Sequence, residues 1–199
     1  MRPFSFLLVY LLSLSSFLGQ GEEKAKIQDI RQQYAKIESL IQAQALQQKK
    51  QGFACDLEPY SATVIYHYDS TGIYRVDYSE AVGDHGGKSE KYYLWEGELF
   101  FMYREAGTWG FDGEVSMIEG EAVQGTVDHI EEERFYFDGK KLLRCLHKAY
   151  SFYSRKDDNP DPATLPNKQV DCYQGEEIQA FLTELLGRMQ QGYPDPYCP

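Results

Sequence analysis

Several things are missing from this sequence. It has no Lys- or Arg-rich stripe, no Cys-x-x-Cys, no His-Glu-x-x-His, no Gly-x-Ser-x-Gly, and no long apolar run beyond its first eighteen residues. With 20 Lys plus Arg against 31 Asp plus Glu, a net charge of -11 leaves no cationic footprint for a polyanion, which excludes most nucleic-acid binding. The lack of paired cysteines argues against a zinc ribbon or a thioredoxin-like redox site. Without the two hydrolase signatures there is no local zinc-protease site or serine elbow. The chain therefore reads as one that is not an enzyme, with no cofactor and no resident metal. A composition of 42% hydrophobic and 26% charged residues is that of a folding globular chain and excludes wholesale disorder.

The N-terminus carries one positive charge at Arg2, an apolar run from Phe4 to Leu18, and small residues at Gly19 and Gly21. This is the pattern of a secretory signal peptide over residues 1–21. The run of about 15 residues is shorter than the roughly 20 a spanning helix needs. Cleavage would leave a 22–199 chain of ordinary single-domain size, secreted or periplasmic, with no membrane attachment. All four cysteines, Cys55, Cys145, Cys172 and Cys198, lie in that part, and in an oxidising compartment an even count reads as disulfides. Three pairings are open. Cys172 and Cys198 flank the last helical stretch, and the 192–198 tail is long enough to fold back along it, which favours that pair and leaves Cys55 with Cys145.

Periodicity predicts the architecture. Ile27, Ile30, Tyr34, Ile37 and Ile41 recur at steps of three and four and continue into Ala45 or Leu46, so 22–51 reads as one amphipathic helix, laid on a sheet or dimerising through residues 22–50. Over 62–152 the pattern changes to period two, rich in Tyr, Val and Phe. Three hairpins stand out: 64–68 with 73–78 around Gly72, 92–95 with 98–103 around Gly97, and 134–137 with 140–146 around Asp138-Gly139. The Asp-Gly pair suggests a type I′ turn. An aromatic residue precedes each of these glycines by four positions (Tyr68, Tyr93, Phe135), a loose internal repeat. Residues 105–124, with four glycines around Trp109 and Phe111, read as a loop excursion, and 154–174 as a proline-containing loop. Ile178, Phe181, Leu182, Leu185, Leu186 and Met189 place a second helix over 175–191, followed by a rigid tail at 192–199. The fold expected is α+β: a long N-terminal helix, a twisted antiparallel meander of about five to seven strands, and a C-terminal helix packed on the sheet. Two helices suffice to cover one face of such a sheet, which leaves the other wet, covered by loops, or used.

Candidate chemistry is sparse. Gly83-Asp-His-Gly-Gly-Lys-Ser89 ends like a phosphate loop, but Val82 stands where the first glycine belongs. Asp157-Asp-Asn-Pro-Asp161 begins like a calcium loop, but Pro162 and Lys168 replace its glycine and bidentate glutamate. His67, His85, His129 and His147 form no close set, and Glu131–Glu133 beside His129 read as a wet face. The better lead is the aromatic load of 16 Tyr, 11 Phe and 2 Trp. Tyr66, Tyr68, Tyr74, Tyr78, Tyr93, Trp95 and Tyr103 are read as lining one partly apolar sheet face, and Tyr and Trp suit a half-wet surface because each joins an apolar body to a polar tip.

The stretch Arg134-Phe-Tyr-Phe-Asp-Gly-Lys-Lys-Leu-Leu-Arg-Cys-Leu146, with the Ile27–Ile41 stripe and the N-terminal apolar segment before it, resembles a broad group of uncharacterised exported bacterial proteins. In that group a helix precedes aromatic hairpins of the "YYFDGKL" type. The hairpins are also similar to variant membrane-occupation-and-recognition-nexus-type repeats, which are structural and interaction modules. The resemblance implies an exported protein of this fold and carries no catalytic residue.

These readings converge on an exported, non-enzymatic binding or interaction protein using an aromatic-rich sheet face, with ligand-binding candidates Tyr66, Tyr68, Tyr74, Tyr93, Trp95, Tyr103 and Trp109. Its partner would be a protein, a glycan or a lipid. Two alternatives stand beside this: a secreted glycan-directed hydrolase using a carboxylate pair such as Glu132 and Glu114, and a purely structural, helix-mediated dimer.

Overall fold

The computed structural model describes residues 6–54, 60–118 and 121–191, with secondary structure alone for residues 6–20, 53 and 118. Helix α1 spans Phe6–Gln42, and eight strands follow: β1 (Gln47–Ala54), β2 (Tyr60–Tyr68), β3 (Ile73–Val82), β4 (Gly86–Trp95), β5 (Glu98–Ile118), β6 (Glu121–Asp138), β7 (Lys141–Tyr153) and β8 (Lys168–Val170). Helix α2 (Gly175–Gln191) closes the order. The strands pair in sequence order, each antiparallel to the next, so the fold is α+β with a meander of one strand more than the expected upper bound.

The first helix stops nine residues before the expected Gln51. Its apolar stripe ends at Ile41, and Gln44 turns into the left-handed region at φ 53°, with the Ala45 N–H donating to the Leu40 carbonyl. The Gln- and Lys-rich residues beyond it become β1, because the open edge of β2 supplies backbone partners from Gln47 opposite Tyr68 to Ala54 opposite Ser61. Charged side chains are what an edge strand tolerates.

The expected 105–124 excursion is instead strand. β5 and β6 pair from Phe101 opposite Tyr136 as far as Ile118 opposite Glu121, interrupted by a bulge between Phe111 and Val115. Backbone pairing does not require side chains, so glycine density alone misleads here; Gly113, at φ 82°, makes the bulge. In the expected 154–174 loop, Lys168–Val170 adds a strand against Cys145–His147. The cause lies close by: Cys145 and Cys172 form a disulfide, with Cα atoms 5.4 Å apart. That pairing replaces the expected Cys172–Cys198 and Cys55–Cys145 bridges; Cys55, Cys198 and the 192–199 tail lie outside the described residues.

The three hairpins have the predicted positions, and each carries a bulge in its second strand just after the turn. Tyr66 opposes Val76, Tyr92 opposes Met102 and Phe135 opposes Cys145, while one residue on the returning strand is left over in each: Tyr74, Phe100 and Leu143. The repeat is therefore structural. Its turns differ, however. Glu96 and Gly97 both have positive φ (52° and 83°), the I′ pattern, whereas Asp138 pairs with Lys141 and Gly139 is the first turn residue, at φ 57°, the II′ pattern.

The bulges decide where the helices lie. On one face Val64, Tyr66, Val76, Tyr92, Leu94, Leu99, Met102, Phe135 and Phe137 pack under Ile178, Leu182 and Leu185 of α2. On the other, Tyr93, Phe100, Phe101 and Tyr136 pack under Ile27, Ile30 and Ile37 of α1, with Tyr74 and Leu143 beside them. The extra residue of each hairpin falls on the α1 face, giving it enough apolar surface for a second core. The two helices thus cover opposite faces in three layers, rather than sharing one. This contact buries Ile27, Ile30 and Ile37 of the α1 stripe against the sheet, while Tyr34 stays 38% exposed. Among the described residues no helix is long and apolar enough to cross a membrane.

Candidate ligand groove and the aromatic residues around it

Both layers bury aromatic side chains, so the seven candidates do not form one surface. Tyr66 is fully buried under α2, its hydroxyl donating to the Leu185 carbonyl at 2.7 Å, and Tyr68 packs at the edge of the same core. Tyr93 is buried on the opposite face, between Phe101 and Tyr34, with its hydroxyl on Glu38 Oε1 at 2.9 Å. Tyr66 and Tyr93 are core residues, unavailable to a ligand. Tyr74 and Trp95 lie together at the turn end of the sheet, Tyr103 packs at the margin of the α1 core with Arg134 over its ring, and Trp109 lies out along β5.

The structure brings Tyr74 and Trp95 to a groove. Between α1 and the second and third hairpin turns lies a cavity of 510 Å³, its walls formed by Lys26, Asp29 and Gln33 on the helix and by Trp95, Glu98 and Asp138 on the sheet. A neighbouring hollow of 270 Å³ runs between Lys36 and the first two turns, lined by Thr71, Tyr74, Trp95 and Glu96. Trp95 belongs to both. Its ring meets Tyr74 edge-on at 6.2 Å and holds the Lys36 ammonium 4.4 Å from its centroid, so the indole is oriented from two sides. Lys26 bonds Asp138, closing one end of the groove. Asp69 accepts from the Thr71 N–H and hydroxyl, which holds its carboxyl below the usual range and fixes the first turn. A half-open cleft with one flat aromatic wall and carboxylates at the rim suits a ligand having one apolar face and hydrogen-bond donors around its edge.

Many of the titratable groups along the sheet are committed to each other. Tyr60 and Tyr78 both donate to Glu80, Tyr92 to Glu90, Tyr103 to Glu105 and Tyr150 to Glu132. Burial, reinforced by those carboxylates, raises all of these phenols above the ordinary tyrosine value, Tyr150 to about 12. Three of the pairs, Tyr78-x-Glu80, Glu90-x-Tyr92 and Tyr103-x-Glu105, lie two residues apart on a strand and so on one face. That spacing is visible in the sequence and marks these pairs. His67 is likewise buried and held by Asp77 at 2.9 Å, with Arg75 bridging Asp77 to Glu38 on α1.

The Glu132–Glu114 pair is not assembled. Glu132 opposes Glu105, whereas Glu114 adjoins Val115 opposite Gln124, eight residues further along β6, or about 25 Å at strand rise. Glu132 accepts from Lys148 at 2.9 Å, Arg134 at 2.6 Å and Tyr150 at 2.9 Å. Although burial works against its charge, these donors hold its carboxyl below the usual value, which makes it a poor proton donor near neutrality. The Gly-Lys-Ser stretch is β-strand, with Lys88 between Glu80 and Glu90. Asn159 and Asp161 accept from the Tyr153 and Ala163 N–H groups, so that loop spends its oxygens on itself. Among the described residues no three His, Cys, Asp or Glu side chains converge as a metal site. No protein-family model, curated protein or solved structure matches the chain.

Proposed function

We propose that this chain is an exported, non-enzymatic binding protein whose ligand lies in the groove between α1 and the hairpin turns. The observation that carries the reading is Trp95, set between two adjoining hollows and oriented by Tyr74 and Lys36. Export is supported by the 1–21 segment and by the Cys145–Cys172 disulfide, which suits an oxidising compartment. Of the ligand classes considered, a glycan fits the wall best, because a pyranose ring joins an apolar face to a rim of hydroxyl donors, which Asp29, Glu96 and Glu98 would accept.

The test uses the Trp109→Phe protein, whose remaining fluorescence reports Trp95. Titration with soluble oligosaccharides is expected to give a saturable shift that Trp95→Phe with Trp109 intact does not show. A flat response across neutral, acidic and amino-sugar oligosaccharides would overturn the glycan assignment. If fatty-acid micelles gave the saturable Trp95 signal instead, the groove would stand with a lipid in it.

A further inference from the structure

Helix α1 has a hollow on each flank. At about 100° per residue, Lys26, Asp29, Gln33 and Lys36 fall to one side of the buried Ile27, Ile30 and Ile37, and Arg31 and Tyr34 fall to the other. The first flank borders the Trp95 groove. The second borders a hollow of 240 Å³ whose walls are Ile30, Arg31 and Tyr34 on the helix and Phe101, Arg134 and Tyr136 on β5 and β6. Its floor is aromatic. Phe101 and Tyr136 oppose each other across the two strands with ring centroids 5.0 Å apart, and Tyr34 meets Phe101 edge-on at 5.6 Å. Tyr34 is partly exposed, so this cluster reaches solvent where Tyr93, deeper under the helix, does not. Phe111, Val115 and Met117 are exposed as well, further out along β5, and line neither hollow.

Charge separates the two flanks. The Trp95 groove has Asp29, Glu96, Glu98 and Asp138 in its walls, whereas the second hollow has two guanidinium groups and no carboxylate, in a chain whose net charge is -11. Arg134 is fixed in place: its Nη2 donates to Glu132 at 2.6 Å, its Nη1 donates to Asn167 at 2.7 Å, and its guanidinium lies 5.0 Å from the centre of the Tyr103 ring. Arg31 is uncommitted. Among the described residues neither its guanidinium nor the Tyr34 hydroxyl has a hydrogen-bond or ion-pair partner. We propose that this hollow binds a small aromatic carboxylate, its ring laid on Tyr34, Phe101 and Tyr136 and its carboxylate taken by Arg31. The planar guanidinium fork matches both oxygens of such an acid. Size narrows the class, since a cavity of about 150 Å³ already accepts a benzene ring; the 240 Å³ here takes one ring with its acid group rather than a long acyl chain. This site is distinct from the Trp95 groove, and either can fail without the other.

The probe is phenylacetate, titrated into the oxidised protein and followed by amide chemical shifts. Saturable shifts are expected at Arg31, Tyr34 and Phe101, with the neutral phenylacetamide binding about tenfold more weakly. Arg31→Gln is expected to weaken phenylacetate about tenfold and to leave phenylacetamide within about twofold, with melting temperature unchanged because Arg31 is exposed. Tyr34→Ala is expected to weaken both. Equal affinity for acid and amide, no loss on Arg31→Gln, or no shift up to the solubility limit of the acid would overturn the proposal. Hexanoate binding as tightly as phenylacetate would overturn the aromatic assignment, and shifts centred on Trp95 would overturn the site in favour of the groove.

Discussion

Replacing Arg104 by Met is expected to lower the unfolding free energy by about 3–5 kcal/mol, the range for removing one partner of a buried ion pair. Arg104 places Nε 2.7 Å from Glu90 Oε1 and shares Nη1 between Glu133 at 3.0 Å and Gln174 at 2.7 Å. Glu90 is almost wholly buried, and its remaining neighbours are the Tyr92 hydroxyl and, at 3.6 Å, the Lys88 ammonium. Loss of the guanidinium leaves a buried carboxylate with one distant cation and also frees Gln174, which leads into α2. Against a total stability of about 5–15 kcal/mol for a domain of this kind, the variant should unfold at a markedly lower denaturant midpoint. Arg104→Met with Glu90→Gln should recover part of the loss, since the double change removes the stranded charge. A single-variant loss below about 1 kcal/mol would mean that the pair is effectively solvated.

The second large effect is alkaline. Tyr60, Tyr78, Tyr92, Tyr93, Tyr103 and Tyr150 have phenols raised above the value of 10.0 they would have in the unfolded chain. A raised folded value means that the folded chain keeps protons the unfolded chain has released. The stabilisation is therefore complete below pH 10.0 and is lost as pH rises through the folded values, from 10.0 to about 12 for Tyr150 and further for Tyr78, Tyr92, Tyr93 and Tyr103, with Tyr60 shifted in the same direction. This set should ionise in a steep step coincident with loss of secondary structure. Followed by phenolate absorbance together with circular dichroism, the step should appear as one cooperative phase shared by both signals. A single broad titration with the fold intact would contradict the burial and pairing described here.

How far the sequence could be read depended on which signal was local. Period-two alternation and turn glycines located all three central hairpins, and the α2 stripe from Ile178 to Met189 marked a helix that the structure places over Gly175–Gln191. β1 was missed because Gln47–Ala54 is polar and becomes strand only when the β2 edge offers backbone partners. The continuation of β5 past Gly107 was missed for the converse reason, since glycine content counts against a strand while cross-strand pairing ignores it. Helix placement was the deepest gap. A bulge shifts Tyr74, Phe100 and Leu143 to the face opposite the one simple alternation assigns, and without those shifts the α1 core cannot be counted. The aromatic excess was legible, and its meaning was not: much of it is core, with phenols satisfied by a glutamate two residues away or across the sheet, which accounts for part of the acidic balance as well. Trp95 and Tyr74 were named from composition, but the groove that joins them depends on how α1 crosses the turns.

The central claim is this division of the aromatics between two buried layers and two accessible surfaces. Hydroxyl-radical footprinting of the oxidised native protein, read residue by residue by mass spectrometry, tests it directly. The account predicts that Tyr66, Tyr92 and Tyr93 stay unmodified, that Tyr74, Trp95, Trp109, Phe111 and Met117 react, and that denaturation removes the difference. Reaction at Tyr66 and Tyr93 comparable to that at Trp95 would contradict it, and would restore an open aromatic sheet face in place of the groove.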